Sequence, residues 1–189
     1  MCSSDLTDSV RFPDIPARLT AIARAVPAGS IEVQVREKRM DGGPLLAYVR
    51  ALQAAAPDVP LWVNDRIDVA LAAGAYGVHL PEHGMSIEDA RALAPRLRVG
   101  ISVHSQQGGF GADSVQLGPI WDTPGKGAPL GLGVLAFARA ARLIAVGGID
   151  SPERVREAIA AGADGVAVIR AAWTRDIAAV MELVAAAIR

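Results

Sequence analysis

The sequence predicts an α/β fold built on a parallel sheet, and two observations support this class. Short β-branched runs alternate along the chain with segments that carry apolar residues at helical spacing. One motif also occurs three times, at residues 73–80, 110–117 and 161–168, and each copy runs from a glycine-containing turn directly into a short apolar strand. Such alternation is typical of a parallel sheet, either an eight-fold barrel or a doubly wound open sheet.

Length, charge and cysteine content limit the class of protein. The 189 residues, 51% of them hydrophobic, suit one domain, and we expect a polar tail at residues 1–12 followed by a single barrel domain at 13–189. With 19 basic and 20 acidic residues, the chain has no positive excess to hold nucleic acid. Cys2 is the only cysteine and no apolar run is long enough to cross a membrane, so we expect a cytoplasmic protein without a membrane partner. Alanine-rich helix faces leave a homo-oligomer open.

Seven strands are predicted from the β-branched runs, at residues 31–35, 61–63, 78–80, 99–103, 115–117, 143–146 and 166–169. Helix-like segments occupy residues 45–55, 67–73, 87–93, 134–141, 155–161 and 177–188. A TIM-type (β/α)8 barrel is favoured over the open sheet, because polar, ligand-like residues follow nearly every strand and no Gly-x-Gly-x-x-Gly motif opens the first unit.

Two segments depart from a regular barrel. Residues 1–9 are polar and lack the apolar run of an opening strand, so the first strand is expected to be missing or degenerate. The link between the fifth and sixth barrel strands, residues 105–113, contains Gly108, Gly109 and Gly111 and is short for a parallel crossover. Its helix is therefore expected to be shortened.

Gln34, Arg36 and Lys38 alternate with other residues along a strand, so period-2 geometry predicts that these three polar side chains share one face. A solvated strand face would give the same pattern. In a barrel, however, helices cover the outer face of each strand, and the arrangement then favours anion binding at the barrel mouth.

Asn64 and Asp65 end the next strand, where the carboxylate could bind Mg²⁺ or could instead cap the helix that follows. Ser102 and His104 lie two residues apart and could meet one substrate, with His104 the better candidate for catalysis. His79 stands between two apolar strand residues and is interpreted as a structural histidine.

Two glycine-rich segments follow later strands. Residues 118–127 are too rich in glycine and proline for regular structure, which indicates either a surface connection or a lid that carries Lys126 over the catalytic face. Gly147 and Gly148 end the strand at 143–146, where bare backbone amides favour phosphate. Together with the amides near Ile169 and Arg170, they predict a phosphate site after the last two strands.

Six strand-end motifs stand in order along the chain: residues 33–38 (VQVREK), 63–70 (VNDRIDVA), 77–80 (GVHL), 100–105 (GISVHS), 118–120 (GPI) with Thr123 and Lys126, and 146–149 (VGGI). The ordered set resembles the thiamine phosphate synthase and thiazole tautomerase (TenI-like) family. The resemblance implies thiamine biosynthesis by a transferase that joins hydroxymethylpyrimidine diphosphate to thiazole phosphate, with Mg²⁺ as cofactor and pyrophosphate as the second product.

The resemblance also implies roles for individual residues. The expected catalytic residues are Lys126, Ser102 and His104. The groups implied to bind the two substrates are Gln34, Arg36, Lys38, Asn64, Thr123, Gly147, Gly148, Ile169 and Arg170. The implied metal ligand is Asp65, with Glu82 as a substitute for the second.

Two departures from the family pattern leave other activities open. Synthases usually follow His-Leu with Gly-Gln and a nearby acidic Mg²⁺ ligand, whereas this chain has Pro81-Glu82-His83-Gly84, so Mg²⁺ binding is expected to be weakened unless Glu82 substitutes. Gly125 also removes a hydroxyl from the implied diphosphate site. The alternatives are a metal-independent thiazole tautomerase, which is an isomerase that would use His104, and a non-catalytic relative that binds phosphate ligands.

Overall fold

A computed structural model describes residues 4–7, 9, 12–105, 108–136, 138 and 140–188. All eight strands of the sheet run parallel, each hydrogen-bonded to its neighbour in chain order, and the last strand lies beside the first. The predicted TIM-type barrel is therefore confirmed. The strands are β1 (Ser4–Leu6), β2 (Glu32–Val35), β3 (Leu61–Asn64), β4 (Gly77–Leu80), β5 (Arg98–Val103), β6 (Ser114–Leu117), β7 (Leu143–Val146) and β8 (Gly165–Ala167).

In the described part of the chain, seven α-helices accompany the strands: α1 (Ile15–Ala25), α2 (Gly42–Ala55), α3 (Ile67–Ala73), α4 (Ile87–Leu93), α5 (Pro152–Ala160), α6 (Arg170–Thr174) and α7 (Ile177–Ala187). The bounds of α3 and α4 are those predicted. At the start of α5, the Ser151 hydroxyl accepts a hydrogen bond from the Arg154 amide and Pro152 occupies the first helical position, as the Ser-Pro pair predicts. The apolar strand and helix residues form one buried cluster.

The first strand is present, although it has only three residues. Ser4–Leu6 pairs in register with residues 32–34 of β2, and the Thr7 amide donates to the Gln34 carbonyl oxygen at 3.0 Å. Backbone pairing needs no apolar side chains, which explains why the sequence pattern failed to indicate a strand here. This strand lies inside the stretch assigned to the tail; the proposed domain limits at residues 12 and 13 otherwise remain a prediction.

Two crossovers lack α-helices within the described residues. Between β5 and β6 the chain forms turns at residues 104–105 and 110–113. Between β6 and β7 a 3-10 turn, Leu132–Val134, stands where a helix was predicted for residues 134–141. That helix prediction is wrong. Gly131 and Gly133 precede the predicted helix, and an eight-residue segment without a capping side chain is too short to be stable alone.

Polar side chains close the amino-terminal end of the barrel. The Glu32 carboxylate accepts hydrogen bonds from Trp62 Nε1 at 2.8 Å and from an Arg142 guanidinium nitrogen at 2.8 Å. The Trp62 ring needs the space beside Gly77, since a Cβ there would lie 2.6 Å from the ring. These contacts fill the barrel below the strand ends that carry the predicted site. No helix among the described residues is long and apolar enough to cross a membrane.

Candidate active site

The predicted site residues follow the carboxyl ends of the strands, and these ends meet at one rim because all eight strands are parallel. Most of the residues lie within three positions of a strand end, whereas Thr123 and Lys126 lie six and nine positions after the end of β6. The site is thus distributed over seven strand ends, as a barrel mouth requires. The side chains nevertheless differ in how deeply they are buried.

Gln34 lies below the rim and is 1% exposed. Its side-chain amide nitrogen donates to Asn64 Oδ1 at 2.9 Å, and its oxygen accepts from Gln116 Nε2 at 2.9 Å. Gln34 would therefore meet only a substrate group that enters the barrel. Because the Asn64 oxygen is occupied by Gln34, the amide nitrogen of Asn64 is the atom left to donate to an anion at the rim.

Arg36 and Lys38 lie beyond the end of β2, which stops at Val35. Arg36 is half-buried and close enough to His79 to act on it electrostatically. Lys38 is exposed in a turn. The prediction of one continuous strand face through Lys38 is wrong, because residues alternate between faces only where the backbone stays extended.

Asp65 has a left-handed backbone conformation, with φ of 64°, and its amide donates to the His79 carbonyl oxygen at 2.9 Å. The N-cap position of α3 is Arg66, not Asp65, which removes the helix-capping alternative. The exposed Asp65 carboxylate accepts no hydrogen bond from the residues that the structure describes, although Arg66 acts on it electrostatically. Non-glycine residues in this conformation often mark ligand sites.

His79 is buried, and its Nε2 lies 2.8 Å from Ser102 Oγ. Burial, and to a smaller extent the Arg36 cation, lower the pKa of His79 to about 3. The imidazole is therefore neutral near pH 7 and hydrogen-bonded, consistent with a structural histidine. Gly100 provides its space, since a Cβ there would lie 2.7 Å from His79 Nδ1.

Glu82 and His104 form a carboxylate–imidazole pair at the rim. Glu82 Oε1 accepts from the His104 amide at 3.0 Å, and Oε2 lies 2.5 Å from His104 Nδ1. Burial alone would raise the pKa of Glu82, but the hydrogen bonds from His104 lower it below its usual value. Both oxygens are thus engaged by one residue, an arrangement that fits orientation of the imidazole better than metal binding.

The loop after β6, residues 118–131, is closed at its base by two hydrogen bonds, Leu130 amide to Pro119 oxygen at 2.8 Å and Gly131 amide to Ile120 oxygen at 3.0 Å. At its tip the Lys126 amide donates to the Thr123 oxygen at 3.0 Å. Proline and a glycine with φ of 78° occupy the centre of this turn, the pattern of a type II β-turn. The turn explains glycine at position 125 and leaves Lys126 exposed.

Gly147 and Gly148 both have positive φ, at 96° and 71°, and pack against the base of this loop. A Cβ on Gly147 would lie 3.1 Å from Thr123 Oγ1, so the structure brings the predicted phosphate turn and Thr123 together. Ile169 and Arg170 begin the short helix α6 after β8. A short helix in this position commonly completes the phosphate site of such barrels.

A family model described as thiamine monophosphate synthase matches residues 11–172. This chain belongs to the thiamine monophosphate synthase family. The thiamine-phosphate synthase of Methanoculleus marisnigri is 42% identical over 167 residues, covering 80% of this chain and 79% of that protein. The one from Albidiferax ferrireducens is 40% identical over 164 residues, covering 79% and 74%. The resemblance inferred from the strand-end motifs is confirmed.

One solved structure supports the same family, and a second shows the fold. Thiamine phosphate pyrophosphorylase from Pyrococcus furiosus matches with a TM-score of 0.85 and 28% identity over 98% of this chain and 95% of that chain. A geranylgeranylglyceryl phosphate synthase from Thermoplasma acidophilum, at 15% identity and a TM-score of 0.67, shares the fold alone.

Three side chains that support the candidate site of this thiamine monophosphate synthase family member were not predicted from the sequence. Gln116 extends the Gln34–Asn64 pair, and its signal is a polar residue in the middle of an apolar strand. Trp121 and Arg154 hold the loop after β6 against Gly148, with the Arg154 guanidinium 5.5 Å from the Trp121 ring centre. Arg154 carried no signal, because nothing in the sequence distinguishes it from Arg156 on the same helix.

Proposed function

We propose that this family member is a thiamine phosphate synthase, a transferase that joins hydroxymethylpyrimidine diphosphate to thiazole phosphate. The C–O bond to the diphosphate breaks, the thiazole nitrogen forms the new C–N bond, and pyrophosphate leaves. The observation that supports this best is the set of anion-binding groups at one rim, with the Asn64 amide held by Gln34 so that its nitrogen remains available.

The departing diphosphate would be held by Arg36, Lys38, Asn64 and Lys126. Arg36 is half-buried, so its charge is less screened than that of the exposed lysines. Charge builds up on the diphosphate oxygens as the C–O bond breaks, and prearranged cations and amide donors stabilise that charge. The exposed Lys126, on the tip of the loop after β6, could approach once substrate is present.

Asp65 would hold Mg²⁺. No group of three or more His, Cys, Asp or Glu that could enclose a metal occurs in the described part of the chain. A single outward-facing carboxylate nevertheless suits Mg²⁺, which usually keeps several waters and bridges one or two carboxylates to substrate phosphates. When bound, the ion supplies positive charge to the diphosphate. The weakened Mg²⁺ site expected from the missing second acid is part of this proposal.

The thiazole phosphate would bind the backbone amides after β7 and β8, at Gly147, Gly148, Ile169 and Arg170, with Thr123 beside Gly147. Ser102 would face the pocket from β5, with its hydroxyl shared with His79. The single cysteine fits a reducing cytoplasm, where we place this activity.

A second activity, thiazole tautomerase, is favoured by the Glu82–His104 pair. A carboxylate that binds Nδ1 fixes the ring and leaves Nε2 as the atom able to accept or donate a proton. A tautomerase moves a proton within its substrate and needs no metal. The contacts of Glu82 therefore suit a tautomerase better than a magnesium site.

Two activity assays and one binding measurement separate these possibilities. Purified protein is incubated with hydroxymethylpyrimidine diphosphate and thiazole phosphate, with Mg²⁺ or with EDTA, and thiamine phosphate and pyrophosphate are measured. A synthase makes both products only with Mg²⁺. In a separate incubation, the protein is given a thiazole carboxylate phosphate. A conversion that persists in EDTA and is lost in His104→Ala would identify the tautomerase. Binding of thiazole phosphate without either reaction would identify a non-catalytic relative.

A further inference from the structure

Arg154, on the first turn of α5, makes three contacts that join two loops. One guanidinium nitrogen donates to the Gly148 carbonyl oxygen at 2.5 Å and to Asp150 Oδ1 at 3.1 Å. The guanidinium carbon lies 5.5 Å from the centre of the Trp121 ring, within the range of a cation–π contact. Arg154 therefore binds both the turn after β7 and the loop after β6.

The backbone joins the same two segments. The Ile120 amide donates to the Val146 carbonyl oxygen at 2.9 Å, and the Trp121 amide donates to the Gly147 carbonyl oxygen at 3.2 Å. Packing is close, since a Cβ on Gly148 would lie 2.6 Å from Trp121 Cβ. The loop that carries Thr123 and Lys126 thus has its base fixed on the glycine turn.

The Gly148 carbonyl has a direct consequence for phosphate binding. In a trans peptide the carbonyl and the following amide point in opposite directions, so a carbonyl held by Arg154 directs the Ile149 amide away from Arg154. Within the described residues this amide has no hydrogen-bond partner, although Ile149 is only 6% exposed. Buried backbone amides rarely stay unpaired, and a bound phosphate oxygen would satisfy this one.

We propose that Arg154 and Trp121 form a clamp that positions the Gly147–Gly148 turn for a phosphate group and keeps the base of the Lys126 loop beside it. Both are positioning residues, since neither reaches the reacting atoms. The inference rests on the proposed function in taking thiazole phosphate as the ligand of this turn. It adds that phosphate affinity depends on a side chain from α5, outside the strand-end motifs.

Arg156 provides a matched control on the same helix. Among the described residues its side chain pairs only with Glu153, at 3.4 Å, and both side chains are largely exposed. Arg156→Ala therefore removes one positive charge from α5 without touching either loop. Arg154→Lys keeps the charge and one donor but loses the planar guanidinium that faces the Trp121 ring.

The test is isothermal titration of the full chain with thiazole phosphate, and separately with inorganic phosphate, combined with hydrogen exchange of residues 118–131. Arg154→Ala should weaken thiazole phosphate binding about tenfold or more, as loss of a charge-assisted hydrogen bond predicts, and should speed exchange in the loop. Arg154→Lys should recover part of the affinity. Trp121→Leu, which keeps the Gly148 hydrogen bond, should weaken binding about threefold.

Several results would overturn the clamp. One is an Arg154→Ala variant whose affinity and exchange match those of Arg156→Ala. Another is a wild-type chain that binds neither probe, which would remove the phosphate site itself. A chain that binds thiazole phosphate through Arg154 yet makes no thiamine phosphate would support the clamp and reject only the synthase.

Discussion

Both carboxylate oxygens of Glu82 accept hydrogen bonds from the single residue His104, one from its backbone amide at 3.0 Å and one from ring Nδ1 at 2.5 Å. The same segment, in the sequence pattern of synthases, supplies an acidic Mg²⁺ ligand. In this chain the carboxylate instead fixes a histidine. The Mg²⁺ dependence of the activity should therefore rest on Asp65.

Substitutions of Asp65 and of Glu82 test whether the Mg²⁺ dependence rests on Asp65. Asp65→Asn should raise the Mg²⁺ concentration needed for half-maximal synthase activity about tenfold or more, because it removes a charged ligand. Glu82→Gln should change it less than about twofold, since an amide can still accept from the His104 backbone. The measurement is initial rate against Mg²⁺ concentration at saturating substrates. Equal shifts in the two variants would make Glu82 a metal ligand.

The backbone of Asp65 predicts a stability difference between two inactive variants. At φ of 64° alanine is strained and glycine is not. Asp65→Gly should therefore be more stable than Asp65→Ala by about 1 kcal/mol, while both lose most synthase activity. Urea unfolding of each variant measures the difference. A more stable alanine variant would contradict the left-handed conformation.

His79 predicts an acid-dependent loss of stability. Its pKa is about 3 in the fold, lower than in the unfolded chain, so the unfolded state binds more protons as pH falls below about 6.5. The contribution of neutral His79 to the free energy of unfolding is fully present above that pH. It decreases as the pH falls toward the pKa in the fold. Between pH 7.5 and 5.5 the loss should be about 1.4 kcal/mol.

The variant His79→Gln should remove that part of the pH dependence while keeping a hydrogen bond to Ser102. The control is His83→Gln, because the His83 side chain is 93% exposed. Urea unfolding of the wild type and the two variants at pH 7.5 and 5.5 gives the six free energies that are compared. A His79→Gln chain with the same pH dependence as wild type would show that the imidazole is not held neutral.

Substitution of Arg142, which lies far from the rim, should cause a large loss of stability. It pairs with the buried Glu32, and its remaining nitrogens, Nε and Nη2, have no partner among the described residues. Arg142→Ala would leave the Glu32 carboxylate buried without its cation, so we expect a loss of about 3 kcal/mol in unfolding free energy. Glu32→Gln with Arg142→Met should be less damaging than Arg142→Ala alone. The reverse order would contradict a buried pair.

The barrel was predictable because its signals are local. Helices α3 and α4 end where alternating strands resume, and the glycine-closed turns before β4, β6 and β8 repeat one motif. Strand β1 was not predictable from apolar pattern, because its place in the sheet depends on pairing with β2. The segment 134–141 shows the opposite error: its helical spacing without caps predicted a helix, and its described residues form none.

The sequence predicted which strand ends carry the candidate site residues, but it did not predict which side chains contact each other. Strand ends identified Asn64, Asp65 and Gly148, because parallel strands place their carboxyl ends together. The hydrogen bond between Gln34 and Gln116 joins residues 82 positions apart across the closed barrel, and no local pattern encodes it. Lys38 was placed wrongly for another reason: the alternation of polar residues continues past Val35, where the predicted strand and β2 both end.

The most direct test of the central claim is a crystal structure of the protein grown with thiamine phosphate, pyrophosphate and Mg²⁺. We predict pyrophosphate at the rim within hydrogen-bond distance of Arg36, Asn64 and Lys126, and the thiamine phosphate group on the amides of Gly147 to Ile149. Pyrophosphate bound elsewhere, or a thiamine phosphate whose phosphate avoids the glycine turn, would contradict a shared anion site at this end of the barrel.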